Sequence, residues 1–164
     1  MARGTVSAVL VRILGPFRSD VHADDGVCLR RMERMLVAAL AIRRPASVSV
    51  DSIAEALWDS DPPKSARKTI QTNVLRVRAK LGRTAIETVG ESYRLGADVE
   101  VDIERFERAV HEAAASSRGS TARWDAALAW CSDAPLDEFR HWPPADGRRV
   151  QLTELRQSAI EARC

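Results

Sequence analysis

The sequence predicts an α+β domain over residues 1–101 joined to an all-helical segment over residues 102–164. Three observations lead there. Strand-like stretches at both ends of the first hundred residues bracket three segments with helical apolar spacing. After Asp102 every apolar stripe is helical. The charge balance turns over at the same place: residues 1–101 carry 16 Lys and Arg against 12 Asp and Glu, and residues 102–164 carry 9 against 11.

Residues 8–14 are rich in β-branched side chains and stop at Gly15 and Pro16, which predicts a strand. Two shorter strands are expected near residues 18–21 and 27–29, separated by a turn at Asp24, Asp25 and Gly26. Met32, Met35, Leu36, Ala39 and Leu40 recur at helical spacing and predict a helix over residues 30–43, with Pro45 just beyond it. Residues 47–50 read as a brief strand. A second helix is expected from Ser52, where Ser52 and Glu55 fit a capping box and Asp51 is the rival cap. It turns Ile53, Ala56 and Leu57 inward and ends near Trp58. Residues 59–63 have turn chemistry. A third helix is expected from Pro63 or Lys64 to Leu81, because proline suits a first turn and Gly82 suits the C-terminal end. Residues 85–89 and 92–95 then form a hairpin around Gly90 and Glu91. Strands, three helices and a closing hairpin, in that order, describe a winged helix-turn-helix.

Beyond Asp102, Ile103, Phe106, Val110 and Ala113 define one helix stripe, Trp124, Ala127, Leu128 and Cys131 a second, and Leu152, Leu155, Ala159 and Ala162 a third. Residues 116–120 read as a linker, and Pro135 and Pro143–Pro144 punctuate a longer connection. Short helices paired across a brief loop are TPR-like. The third stripe runs almost to Cys164, so its cover is expected from a second subunit, from further chain, or from folding back on the first domain.

The third helix carries the chemistry. Ala66, Ile70, Val74, Val77 and Leu81 line one face, which must be buried. The opposite face shows Lys64, Lys68, Gln71, Thr72, Leu75 and Arg76, flanked by Arg67 and Arg78. Between Pro62 and Ile86 there are seven Lys and Arg and no acid. A solvated face ordinarily mixes signs to gain i,i+4 pairs. An acid-free stripe on the last helix before a hairpin is what a polyanion selects. At roughly 1.5 Å per residue the helix is about 27 Å long, enough to lie in a major groove with both ends near phosphates. Arg and Lys can reach guanine or phosphate, Gln can pair the edge of adenine, and Thr72 or Leu75 can touch a thymine methyl.

The sequence resembles the SARP-type regulators, whose N-terminal half is a response-regulator-type winged helix. Residues 11–16 resemble the family's opening strand, 34–40 its first helix, and 48–58 with 61–63 and 65–67 its second helix and following turn. Ile70, Gln71, Val74, Arg76 and residues 78–82 fit its recognition helix. Thr88–Val89 and Tyr93–Leu95 fit its wing. Residues 101–106, 127–130 and 135–139 resemble the all-helical bacterial transcriptional activator domain that follows. The resemblance implies a DNA-binding activator: Lys68, Gln71, Thr72 and Arg76 facing the groove, Arg78, Lys64 and Arg67 on phosphates, and Thr88 as a wing contact. It also implies double-stranded DNA with direct repeats, a homodimer on that DNA, and RNA polymerase as partners. Ser92 stands where the wing usually has Gly, Glu91 sits near its tip, and Leu75 stands where a small polar residue is common.

Hydrophobic residues make up 45% and charged residues 29%, a globular composition. Cys28, Cys131 and Cys164 form no CxxC pair, which predicts reduced thiols and a cytoplasmic location, with Cys28 in the core or a strand. No apolar run approaches the roughly 20 residues of a membrane span, and the start lacks a signal-peptide layout. His22, His111 and His141 are dispersed, and GxGxxG, P-loop and GxSxG motifs are absent, so neither metal, cofactor nor enzymatic activity is expected. Trp58, Trp124 and Trp130 are expected in the core, and Trp142 against a loop. Two readings follow: a sequence-specific DNA-binding regulator, or a protein-binding module on a winged-helix scaffold whose DNA affinity is weak or lost.

Overall fold

Alternate burial makes the first strand, β1 (Val9–Arg12): Val9 and Val11 are buried while Arg12 is exposed. The computed structural model describes residues 9–21, 25–59, 61–116, 121–131 and 134–164. The expected strand reaches to Leu14, but β1 stops at Arg12. The reason is hydrogen bonding: the amides of Ile13 and Leu14 donate to the Asp102 carboxylate at 3.0 Å and not to a neighbouring strand.

β2 (Arg18–Val21) pairs antiparallel with β3 (Asp25–Gly26), with Asp20 opposite Gly26 and Val21 opposite Asp25. The strand expected at residues 27–29 is therefore shifted onto residues expected to turn; Asp24 of that turn lies outside the described residues. Val27 still donates its amide to the Ser19 carbonyl at 2.7 Å. The opposite edge is β7 (Val99–Val101), giving the order β3-β2-β1-β7. β7 has no counterpart in the sequence reading, because three residues after Gly96 are too few to show a period.

The helices follow as α1 (Arg31–Ala41), α2 (Val50–Trp58) and α3 (Ala66–Leu81). Between the first two lies β4 (Val48–Ser49), and after the third come β5 (Ile86–Val89) and β6 (Ser92–Leu95), in the order β4-β6-β5. The cap of α2 differs from expectation. Ser49, extended at the end of β4, accepts from the Ser52 amide at 3.1 Å, so the helix begins at Val50 and neither Asp51 nor Ser52 is the cap. α3 starts at Ala66, later than Pro63 or Lys64, because the Pro63 carbonyl accepts the Ala66 amide at 2.8 Å in a preceding turn. Gly82 ends it with φ 112°, which a side-chain-bearing residue rarely adopts. Gly96 is needed where β6 ends, because a Cβ there would stand 1.9 Å from the Thr84 carbonyl oxygen.

The chain divides into two compact units, one containing residues 9–11 and 18–100 and the other residues 12–17 and 101–164. The sequence reading puts residues 12–17 in the first domain; their contacts put them in the second unit. There the Leu14 carbonyl accepts from Leu136, the Phe17 amide donates to Glu138 at 2.7 Å, and the Phe17 ring packs edge-on against Phe139. Burial raises the Asp102 carboxyl above the ordinary range, against the lowering effect of the Ile13 and Leu14 amides. The unit is otherwise helical: α4 (Asp102–Ala115), α5 (Thr121–Leu128) and α6 (Asp146–Arg163) pack on one another, with 3₁₀ turns at Asp137–Phe139 and Pro143–Ala145. The four expected stripe residues of α4 are all buried. On α6, Leu152 and Ala159 are buried, Leu155 is half-buried and Ala162 is exposed. Residues 117–120 of the expected linker lie outside the described residues. Trp124 and Trp142 are buried, whereas Trp58 and Trp130 are only half-buried, Trp130 beneath the Arg105 guanidinium at 5.0 Å. Cys28 is exposed, which corrects its expected core placement. No helix among the described residues is long and apolar enough to cross a membrane.

An acid sits in the core of the first unit. Glu33, fully buried on α1, accepts from the Arg30 amide at 2.8 Å and from Lys80 Nζ of α3 at 2.6 Å. Burial pushes its carboxyl up, but Lys80 and the Arg30 amide outweigh burial and hold it below 4.5. A lowered folded value gives stability that is present above 4.5 and is lost as pH falls through the folded value. Lys80→Met strands the carboxylate and should cost about 2–4 kcal/mol near neutral pH. It should also reverse the sign: with the lone carboxyl raised by burial, the variant loses stability as pH rises above 4.5. Urea unfolding across that range checks this, and parallel pH profiles for the two proteins would contradict it.

Candidate nucleic-acid interface

The inner stripe of α3 sets everything on its outer face. Ile70, Val74, Val77 and Leu81 are each less than 5% exposed, and Ala66 is buried with them against α1 and α2. Each such side chain contributes at most about 1.5–3 kcal/mol of burial, so rotation of the helix about its axis is strongly opposed. Asn73, which the sequence reading passed over, is also buried; its amide nitrogen donates back to the Thr69 carbonyl at 2.9 Å.

With that face fixed, Lys68, Gln71, Thr72, Leu75 and Arg76 all point to solvent from the middle of α3. Lys64 precedes the helix in an exposed turn and Arg67 stands in its first turn, also exposed. At about 100° per residue, Lys68, Thr72 and Ala79 lie nearest the crest of the exposed face, with Leu75 just to one side of it. Gln71 and Arg78 lie beyond Leu75 on that side, and Arg76 on the other. The Thr72 hydroxyl donates to the Lys68 carbonyl at 2.9 Å, and the side chain is exposed.

The seven cations counted in the sequence are not equivalent. Lys80 is held by buried Glu33 and by the Cys28 carbonyl at 3.1 Å. Arg78 ties the helix to the hairpin: Nε donates to the Ile86 carbonyl and a terminal nitrogen to the Thr88 hydroxyl, both at 2.9 Å. Two of the candidate residues, Arg78 and Thr88, thus form one linked pair joining α3 to β5. Arg67 lies 3.9 Å from Asp51 at the start of α2 and 3.7 Å from Glu91 at the β5–β6 turn. All three are largely exposed, and such pairs contribute about 0–1 kcal/mol, so Arg67 can exchange them for another anion. Lys64, Lys68, Arg76 and Arg83 make no ion pair among the described residues.

The strands of the hairpin beside α3 pair two of its charges with each other. Glu87 and Arg94 face each other across β5 and β6 and pair at 2.7 Å, and Arg94 holds the Glu87 carboxyl below its ordinary range. Val89, Gly90 and Glu91 at the tip are exposed, so the tip itself presents an acid. Glu33 and Asn73 were missed because the helical period was read from apolar residues alone, yet a glutamate amid the stripe of α1 was a legible sign of a buried partner. Among the described residues no three His, Cys, Asp or Glu side chains are grouped to hold a metal.

Residues 24–95 match the family model described as transcriptional regulatory protein, C terminal. The chain is 29% identical to the regulatory protein DnrI of Streptomyces peucetius over 172 residues, covering 93% of this chain and 62% of DnrI. It is 31% identical to the transcriptional regulatory protein EmbR of Mycobacterium tuberculosis over 154 residues, covering 87% of this chain and 40% of EmbR. The regulatory protein AfsR of Streptomyces coelicolor is 27% identical over 163 residues, 92% of this chain and 16% of AfsR. The solved structure of M. tuberculosis EmbR with a low-affinity phosphopeptide superposes with a TM-score of 0.78 at 25% identity, covering 94% of this chain and 44% of EmbR. The chain therefore spans less than two thirds of these relatives, all of which are named as regulators and none as an enzyme.

Proposed function

The chain belongs to the SARP-type transcriptional regulators, and from that membership we propose that it binds double-stranded DNA in a sequence-specific way and activates transcription by contacting RNA polymerase. One observation supports this most strongly: the exposed face of α3 is free of acid, and its Lys68 and Arg76 make no ion pair among the described residues. α3 lies in the major groove. Lys68, Gln71, Thr72 and Arg76 meet base edges, and Lys64, Arg67, Arg78 and Thr88 meet the phosphate backbone on either side. Arg78 acts mainly through Thr88, holding the wing at the angle that brings its backbone to a phosphate. Activation and polymerase contact are carried over from the family and assigned to the helical unit.

The rival reading, a winged-helix scaffold that binds protein and whose DNA affinity is weak or lost, draws on the short acidic wing with Glu91 near its tip and on exposed Leu75 on the outer face of α3. Salt dependence separates the two. With about four to six phosphates engaged, log K should fall against log salt with a slope of about −4 to −5 between roughly 50 and 200 mM. Fluorescence anisotropy on duplex oligonucleotides measures it. Glu91→Gln removes the acid beside Arg67 and should tighten binding about two- to fivefold, from roughly 0.5–1 kcal/mol of relieved repulsion. A flat salt response, or weaker binding by Glu91→Gln, speaks for the rival.

The family arrangement further implies two copies head to tail on a direct repeat. Two recognition helices on one face of DNA require a repeat of about 10–11 base pairs. Cooperative binding should vanish when one repeat is moved by about half a turn. Cooperativity that survives the shift, in a gel-retardation titration, contradicts the tandem arrangement.

A further inference from the structure

One feature of α3 does not fit a purely polar interface. Leu75 is 64% exposed, in a helix whose exposed face is otherwise built from Lys, Arg, Gln, Thr and the small Ala79. A lone exposed leucine is ordinary surface. The position of this one is not: it stands on the outer face next to Lys68 and Ala79, between Gln71 and Arg78 on one side and Thr72 and Arg76 on the other. It also borders an open groove lined by Leu75, Arg78, Ala79 and Arg83. When such a helix enters a major groove, its shoulders meet the groove walls and its crest meets the floor, where the base edges lie.

Base edges differ in what an apolar side chain can accept. Guanine and adenine present N7 with O6 or N6, cytosine presents its amino group, and each loses water against leucine without a replacement partner. Thymine presents O4 as well, but it alone adds a methyl group at C5 that an apolar side chain can cover. We propose that Leu75 is a specificity-determining residue that selects thymine, through contact with its 5-methyl group, at the base pair facing the middle of α3. The methyl of Thr72, one turn earlier on the same outer face, extends the same apolar patch toward the next step of the site. Lys64 and Arg67 hold the helix on the backbone and do not discriminate, whereas Leu75 is repaid for the water that any base edge loses only where a methyl group stands against it. This assignment rests on the DNA-binding reading and adds to it the base that Leu75 selects.

The test uses the full chain and a duplex obtained by selection from random sequence. Each thymine is replaced in turn by deoxyuridine, which pairs identically and lacks only the 5-methyl group. The expected result is a roughly threefold to fivefold loss at one position, or two adjacent ones, the worth of about one buried methyl group. In Leu75→Ala, whose exposed position leaves the fold intact, the principal loss should disappear. Cytosine placed at that position should bind more weakly, and 5-methylcytosine should recover part of the difference. Leu75→Gln should move the preference there toward adenine, which glutamine pairs in two places. If duplexes bind but no deoxyuridine lowers affinity, or the loss persists undiminished in Leu75→Ala, Leu75 does not read thymine and the DNA-binding reading still stands. If no duplex is retained even at low salt, both fall together.

Discussion

The burial of the inner face of α3 against α1 and α2 is the constraint from which the rest of the first unit follows. Four aliphatic side chains at helical spacing are almost wholly removed from water, and a helix held along one stripe has its opposite stripe fixed with it. The exposed row from Lys64 to Arg76 is not a separately built site. It is the remainder of a helix whose other side is core. The hairpin completes the frame, because Arg78 reaches from the last turns of α3 to the Ile86 carbonyl and the Thr88 hydroxyl. Helix and wing are thereby presented as one surface.

Electrostatics sorts the cations of that surface into two groups. Lys80 and Arg78 serve the fold: the first neutralises a carboxylate that burial would otherwise penalise, and the second braces the wing. Lys64, Lys68, Arg76 and Arg83 have no acid to answer to among the described residues. Arg67 stands between the groups, near two exposed carboxylates at distances long enough for easy exchange. A net positive count over the segment overstates the charge available to a ligand, and the burial of Glu33 explains part of the difference. The relatives that share this segment are named as regulatory proteins, in agreement with a positive face on which Lys64, Lys68 and Arg76 make no ion pair among the described residues.

Much of this was legible in the sequence because it depends on local period. The stripe of α3 repeats over sixteen residues, long enough to fix both the helix and the face it buries. The hairpin at Gly90 was equally plain, as turn chemistry between two β-rich runs. What escaped depends on partners far along the chain. Lys80 looks like one more surface cation until Glu33, 47 residues earlier, is brought beside it. Asp102 looks like a helix start and boundary mark. Its buried carboxylate instead collects amides from residues 88 and 89 positions away and draws residues 12–17 into the helical unit. The start of α2 moved by two residues for a short-range reason, since Ser49 at the end of β4 was extended and so better placed to cap than Ser52.

A protein surface built this way is tested most directly by asking where DNA touches it. Amide nitrogen and proton shifts recorded during titration of the labelled full chain with a selected duplex report contact residue by residue. The largest changes should fall between Lys64 and Arg78, with a second group at Thr88 to Glu91, and those of buried Val74 and Val77 should be small. Changes concentrated in α4 to α6, or none that saturate with DNA, would contradict the assignment of α3 as the interface.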